Sequence, residues 1–138
     1  MPTVKEIMKP ELSIDVHKTV LEAAKLMKTT NRGSLTVVDG KITVGIITER
    51  DFLTRIVAEN LPHDTPVIRV MSSPLVTIDA DTPIKDAARI MCERKIRRLP
   101  VVEGGALVGI IVSADVLRQL SQKSRTEEIW EALTEKHQ

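Results

Sequence analysis

Aromatic side chains are almost missing from this chain: there is one phenylalanine, Phe52, one tryptophan, Trp130, and no tyrosine. Its core must therefore be aliphatic. Cysteine is nearly missing too; Cys92 stands alone, which excludes an internal disulfide and points to a reducing compartment. No stretch approaches eighteen apolar residues, and the opening "MPTVKEIMKPELS" lacks the apolar run of a secretory signal. The expectation is a cytoplasmic protein that does not span a membrane. Neither sign of charge dominates, with 20 basic against 19 acidic residues and a net charge of +1. That balance provides no whole-molecule field for nucleic acid or an acidic membrane, although "RKIRR" (94–98) is a local basic cluster.

Chemical signatures are sparse as well. The three histidines, His17, His63 and His137, show no metal-ligand spacing, so no metal site is expected. There is no phosphate-binding Walker loop, no G-x-S-x-G, and no histidine placed to activate Cys92, which reads as a buried or half-buried structural thiol. Enzyme activity is not expected.

What the sequence does contain is itself, twice. "TVLEAAKLM" (19–27) aligns with "PIKDAARIM" (83–91), "LTVVDG" (35–40) with "LPVVEG" (99–104), and "VGII" (44–47) with "VGII" (108–111), all 64 positions apart. Only the lead-in slips, with "VKEIM" (4–8) and "VIRVM" (67–71) 63 apart. The expected organisation is one repeat at 4–60, a second at 67–122 and a helical tail at 123–138. With 138 residues, 42% of them hydrophobic, the two copies can share one compact body.

Within a copy the period of the apolar residues changes. Val20, Ala23, Ala24 and Met27 follow helical spacing, as do Ile84, Ala87, Ala88 and Met91. Two β-branched runs then flank Asp39-Gly40-Lys41, or Glu103-Gly104-Gly105, which signals a hairpin. A second helix is expected at about 50–59 and 114–122, and a short extended stretch ("LSI", 12–14; "LVTI", 75–78) before the first. Each copy reads β-α-β-β-α, giving an α/β (α+β) protein of two repeats related by a pseudo-twofold axis. Met8 and Met71 hold matching places as core fillers. Ile129, Trp130 and Leu133 line one side of a short C-terminal helix, with Trp130 expected to anchor it against the module or a second subunit.

The twice-repeated "L-x-V-V … G … V-G-I-I" followed by aspartate (Asp51, Asp115) resembles the CBS domain, named after cystathionine beta-synthase, and two in tandem resemble a Bateman module. The resemblance spans about residues 4–122. It implies a regulatory or sensor module that binds an adenosine-containing ligand in the cleft between the repeats: AMP, ADP or ATP first, NAD or S-adenosylmethionine next. It also implies a homodimer. The alternative is a dimeric interaction scaffold that needs no ligand.

The residues of "GIITERD" (45–51) fit that implication chemically. Thr48 sits where a strand hands over to a helix, whose start attracts phosphate, and its hydroxyl adds a donor. Asp51 offers two acceptor oxygens to a ribose diol. Gly45 lets backbone approach a ligand, and Ile47 contributes to an apolar wall. A ligand-free reading is equally consistent with these letters, since Thr-x-x-Asp is close to a helix capping box. By resemblance, the other copy completes the site with Thr82, Ala87, Ile96, Arg97, Arg98 and Pro100. Of the two arginines Arg98 is favoured for phosphate, because neighbours on a strand point to opposite faces. The second site keeps Asp115 but has Val112 in place of the threonine and Ser113 displaced by one. Its complement is Lys18, Ala23, Arg32, Gly33 and Ser34, and weaker binding is expected there.

Overall fold

The computed structural model describes residues 2–73 and 76–135. In chain order its elements are α1 (Val4–Ile7), β1 (Lys9–Pro10), β2 (Ser13–Asp15), α2 (Val20–Thr30), β3 (Ser34–Asp39), β4 (Ile42–Thr48), α3 (Glu49–Asp51, continued by a π-helical stretch, Phe52–Val57), β5 (Ile78–Asp79), α4 (Ile84–Arg94), β6 (Arg98–Glu103), β7 (Ala106–Val112) and α5 (Ser113–Glu135). A 3-10 turn, Val67–Arg69, precedes β5. Of the predicted "LVTI" strand only Ile78 and the following Asp79 are extended, and Leu75 lies outside the described residues.

The chain forms two compact units, and their boundaries differ from those of the repeats. One unit is residues 11–76; the other joins residues 1–10 to 77–138. Each lead-in is thus built into the body of the other copy. In the 11–76 unit the sheet order is β2-β3-β4, parallel and then antiparallel, and Ser72 extends it by a bridge to Ile46. Its aliphatic core gathers Ile14, Val20, Ala23, Met27, Leu35, Val37, Ile47, Ile56, Val67 and Val70. In the other unit the order is β1-β7-β6-β5, with β1 from the N-terminal lead-in antiparallel to β7. Val4, Ile84, Ala87, Leu99, Val101 and Ile111 are fully buried there.

The glycines of the repeat serve two distinct purposes. Gly40, Gly104 and Gly105 turn the hairpins at φ of 64, 59 and 79°, values costly for other residues. Gly45 and Gly109 are needed for closeness instead. A β-carbon on Gly45 would lie 2.7 Å from Met71 Sδ and 2.8 Å from the Ser72 carbonyl oxygen; on Gly109 it would lie 2.6 Å from both Met8 Sδ and the Lys9 carbonyl oxygen. The side of Gly45 on which a β-carbon would stand is filled by the lead-in of the other copy.

Helices α2 and α4 end alike. Asn31 (φ 53°) and Lys95 (φ 56°) take the left-handed conformation, and the next N–H reaches back to the Met27 or Met91 carbonyl at 3.0 Å. Asparagine tolerates this conformation better than lysine does. Replacing Lys95 by glycine is therefore expected to stabilise the protein by about 0.5–1 kcal/mol, seen as a rise of a few degrees in melting temperature; an unchanged or lower value contradicts the strain.

Three expectations are corrected. Cys92 is exposed, because the core face of α4 is taken by Ile84, Ala87 and Met91, and position 92 turns away from it. The expected second helix of copy two and the tail are one continuous helix, α5, with no stop signal between them. Trp130 is 68% exposed rather than anchored on its own unit, and Leu133 is exposed beside it. The side chain of Ile129, and residues 136–138 including His137, lie outside what is described.

Candidate functional site

Strand β4 ends at Thr48, whose extended backbone (φ −126°, ψ 167°) turns the chain into α3. The turn is closed by the side chain three residues on. The Thr48 N–H donates to Asp51 Oδ2 at 2.9 Å while the Thr48 side chain accepts from the Asp51 backbone N–H, a capping box, and the Thr48 hydroxyl also meets Oδ2 at 3.3 Å. Asp51 is only 5% exposed. Its other oxygen, Oδ1, meets the Ser72 hydroxyl at 3.4 Å and Arg55 Nε at 3.6 Å. A buried carboxylate requires such partners, since an unpaired one would be costly. Each oxygen thus meets two donors, so a diol binds there only by displacing some of them or by turning the carboxylate.

The remaining candidates of this unit lie along the same junction. Ser34, buried, pairs in register with Thr48, and the Gly33 carbonyl accepts from the Glu49 N–H at 3.1 Å. Arg32 is half-buried. Lys18 is exposed, pairs with Glu22 at 3.5 Å, and lends its carbonyl to the Val67 N–H. Ile47 and Ala23 are wholly buried, so they offer a ligand shape or backbone rather than a side-chain face.

The other unit repeats the junction with different side chains. The Ser113 N–H donates to the Arg97 carbonyl at 2.8 Å, and Arg98 pairs in register with Val112. Asp115 forms a 2.8 Å ion pair with Arg118 Nη1. Arg97 is exposed just before β6; Arg98, its first residue, is half-buried, as are Thr82 and Ile96, while Ala87 and Pro100 are buried. Among the described residues no group of three His, Cys, Asp or Glu side chains could hold a metal ion, and no helix is long and apolar enough to cross a membrane.

Each unit also carries a groove that the sequence reading missed. A hollow of about 400 Å³ is lined by Ala24, Met27, Lys28, Asn31, Arg32, Glu49 and Phe52. Its counterpart, about 210 Å³, is lined by Ala88, Met91, Cys92, Ile96, Ser113, Val116 and Leu117, each 64 positions on from a residue at or beside the first. The available signal was the second alanine of each pair: Ala23 and Ala87 face the core, leaving Ala24 and Ala88 to floor a groove.

The chain thus has two junctions of this design, each with an aspartate one turn into a helix and the two aspartates 64 positions apart. The CBS domain matches residues 4–58 and again residues 67–122. The chain belongs to the CBS domain family. This CBS pair is 36% identical over 126 residues to the CBS domain-containing protein YhcV of Bacillus subtilis, covering 90% of each chain. Some relatives are longer: it spans 53% of a matching Methanopyrus kandleri protein. A solved Pyrococcus horikoshii protein superposes with a TM-score of 0.79 at 34% identity, covering 85% of this chain and 90% of that one. The CBS domain pair of protein MJ0100, solved with 5-methylthioadenosine and S-adenosyl-L-methionine, gives a TM-score of 0.79 at 30% identity, covering 89% of this chain and 98% of that one.

Proposed function

We propose that this CBS pair is a regulatory sensor for an adenosine-containing ligand and performs no chemistry of its own. The observation that carries the reading is the buried Asp51 carboxylate at a strand-to-helix turn beside the Thr48 hydroxyl. Adenosine ligands in the MJ0100 pair support it. In the proposed complex Asp51 accepts the ribose hydroxyls and Thr48 donates to phosphate or its equivalent. The resemblance makes Thr82, Ile96 and Arg98 further candidate ligand residues, Arg98 for anionic charge. AMP, ADP and ATP rank ahead of NAD and S-adenosylmethionine because of that guanidinium. The proposed setting is cytoplasmic.

Thermal melting against these five ligands tests the proposal. A ligand at a hundred times its dissociation constant adds about 2.7 kcal/mol, a rise of several degrees for a chain of this size. Flat curves across the panel reject it. The Asp115 junction lacks the threonine hydroxyl, so one strong site and one weak or empty site per chain is the expected stoichiometry by calorimetry; two equal sites contradict that.

A ligand-independent dimeric scaffold is the second reading. It is favoured by Leu53 and Leu117, which hold equivalent positions beside the two grooves and are 65% and 62% exposed. Homodimerisation is common to both readings. Sedimentation should show a dimer that Leu53→Glu with Leu117→Glu converts to monomer; a wild-type monomer would remove the scaffold reading.

A further inference from the structure

We propose that Arg55 couples the state of the Asp51 carboxylate to the segment that carries the chain out of the first repeat's unit. The inference rests on Asp51 as the ribose acceptor for its ligand-driven part only. Arg55 lies one turn beyond Asp51, and its single guanidinium is shared. Nε faces Asp51 Oδ1 at 3.6 Å, while Nη1 donates to the carbonyls of Val70 at 3.1 Å and Met71 at 3.2 Å. A guanidinium is a rigid planar fork, so one edge cannot move without the other. The carbonyls it holds immediately precede Ser72, which exchanges two backbone hydrogen bonds with Ile46, at 2.8 and 3.1 Å, on the strand that leads to Thr48. The Ser72 hydroxyl also touches Asp51. The carboxylate, the guanidinium and residues 70–72 therefore form a closed ring of contacts.

A diol arriving at Asp51 must take lone pairs that Arg55 and Ser72 now use, or reorient the carboxylate to expose others. Either event changes the grip of Nη1 on Val70 and Met71, and so the pairing of Ser72 with β4. The helix geometry suits such adjustment. Arg55 belongs to the π-helical stretch, where the Ala58 N–H bonds five residues back to the Leu53 carbonyl at 3.0 Å, an arrangement often found at functional sites. Among the described residues the second repeat shows no such link. Gln119 occupies the position of Arg55, Asp115 pairs with Arg118 one residue earlier, and α5 is regular. Coupling is therefore one-sided, from the first repeat outward.

Amide hydrogen exchange at Ser72 and Ile46 tests this in the full chain. Without ligand, Arg55→Gln and Asp51→Asn should each speed exchange at Ser72 by about fivefold, the scale of one exposed charge-assisted contact. The double variant should be no faster than the faster single, because both break one ring. Additive effects would overturn the coupling. With saturating AMP, ATP or S-adenosylmethionine, whichever binds, wild type should change Ser72 exchange at least twofold. Arg55→Gln should bind the same ligand within about fivefold of wild type but show no such change; retaining it refutes the proposal. If wild type binds none of the three, the ribose assignment fails, while the ligand-free cycle still decides whether Arg55 links Asp51 to residues 70–72.

Discussion

Gly109→Ala is expected to destabilise this protein by about 2 kcal/mol or more, the range for overpacking a tight interior, although the substitution adds one methyl group at an ordinary backbone conformation. The new β-carbon would sit 2.6 Å from the Lys9 carbonyl oxygen and 2.6 Å from Met8 Sδ. Met8 is flexible and can move aside. The Lys9 carbonyl cannot do so cheaply, because β1 is fixed in register on β7 with Lys9 opposite Ile110 and Pro10 opposite Gly109. The relief available is release of the lead-in, which uncovers β7 and frees the Val4 N–H from the Thr82 carbonyl. Denaturant melting should report the loss, and limited proteolysis should report cleavage within the first ten residues before any other site. Gly45→Ala should act in the same way through Met71 and the Ser72 carbonyl. Melting within a degree of wild type would show that the close approach is not required.

Asp51→Ala should produce the second large effect, this time on binding. The substitution removes the acceptor proposed for both ribose hydroxyls, and hydrogen bonds to a charged group contribute about 1.5–3 kcal/mol each. An affinity loss of at least about a hundredfold for adenosine ligands is expected by calorimetry. The same change dissolves the capping box, costing about 1–2 kcal/mol of stability, which the aliphatic core should tolerate without unfolding. Asp115→Ala provides the contrast. Asp115 pairs with an arginine that is 65% exposed, so its loss should cost little stability, and the strong site should persist. Wild-type affinity in a folded Asp51→Ala protein would refute the site assignment.

Much of this architecture was legible because it depends on local patterns. Alternating β-branched runs around Asp39-Gly40 and Glu103-Gly104 dictate hairpins, and the i, i+3, i+4, i+7 series dictate α2 and α4. Thr48 and Asp51 were legible as a pair because three-residue spacing brings both to one helix start. The exchange of lead-ins was not, since "VKEIM" and "VIRVM" present the same apolar pattern to either body. One clue was present: the offset slips from 64 to 63 at the lead-in, in the connection where a chain crossing to another body tolerates an extra residue. The close approach at Gly45 was hidden for the same reason, as Met71 and Ser72 are distant in sequence. Arg55 escaped notice because its partners are backbone carbonyls, which no side-chain motif records.

The traded lead-ins have a consequence for how such a polypeptide is divided. Cutting at the apparent seam, within "AENLPHDTP" (58–66), would leave each half holding the wrong opening segment and a bare sheet margin.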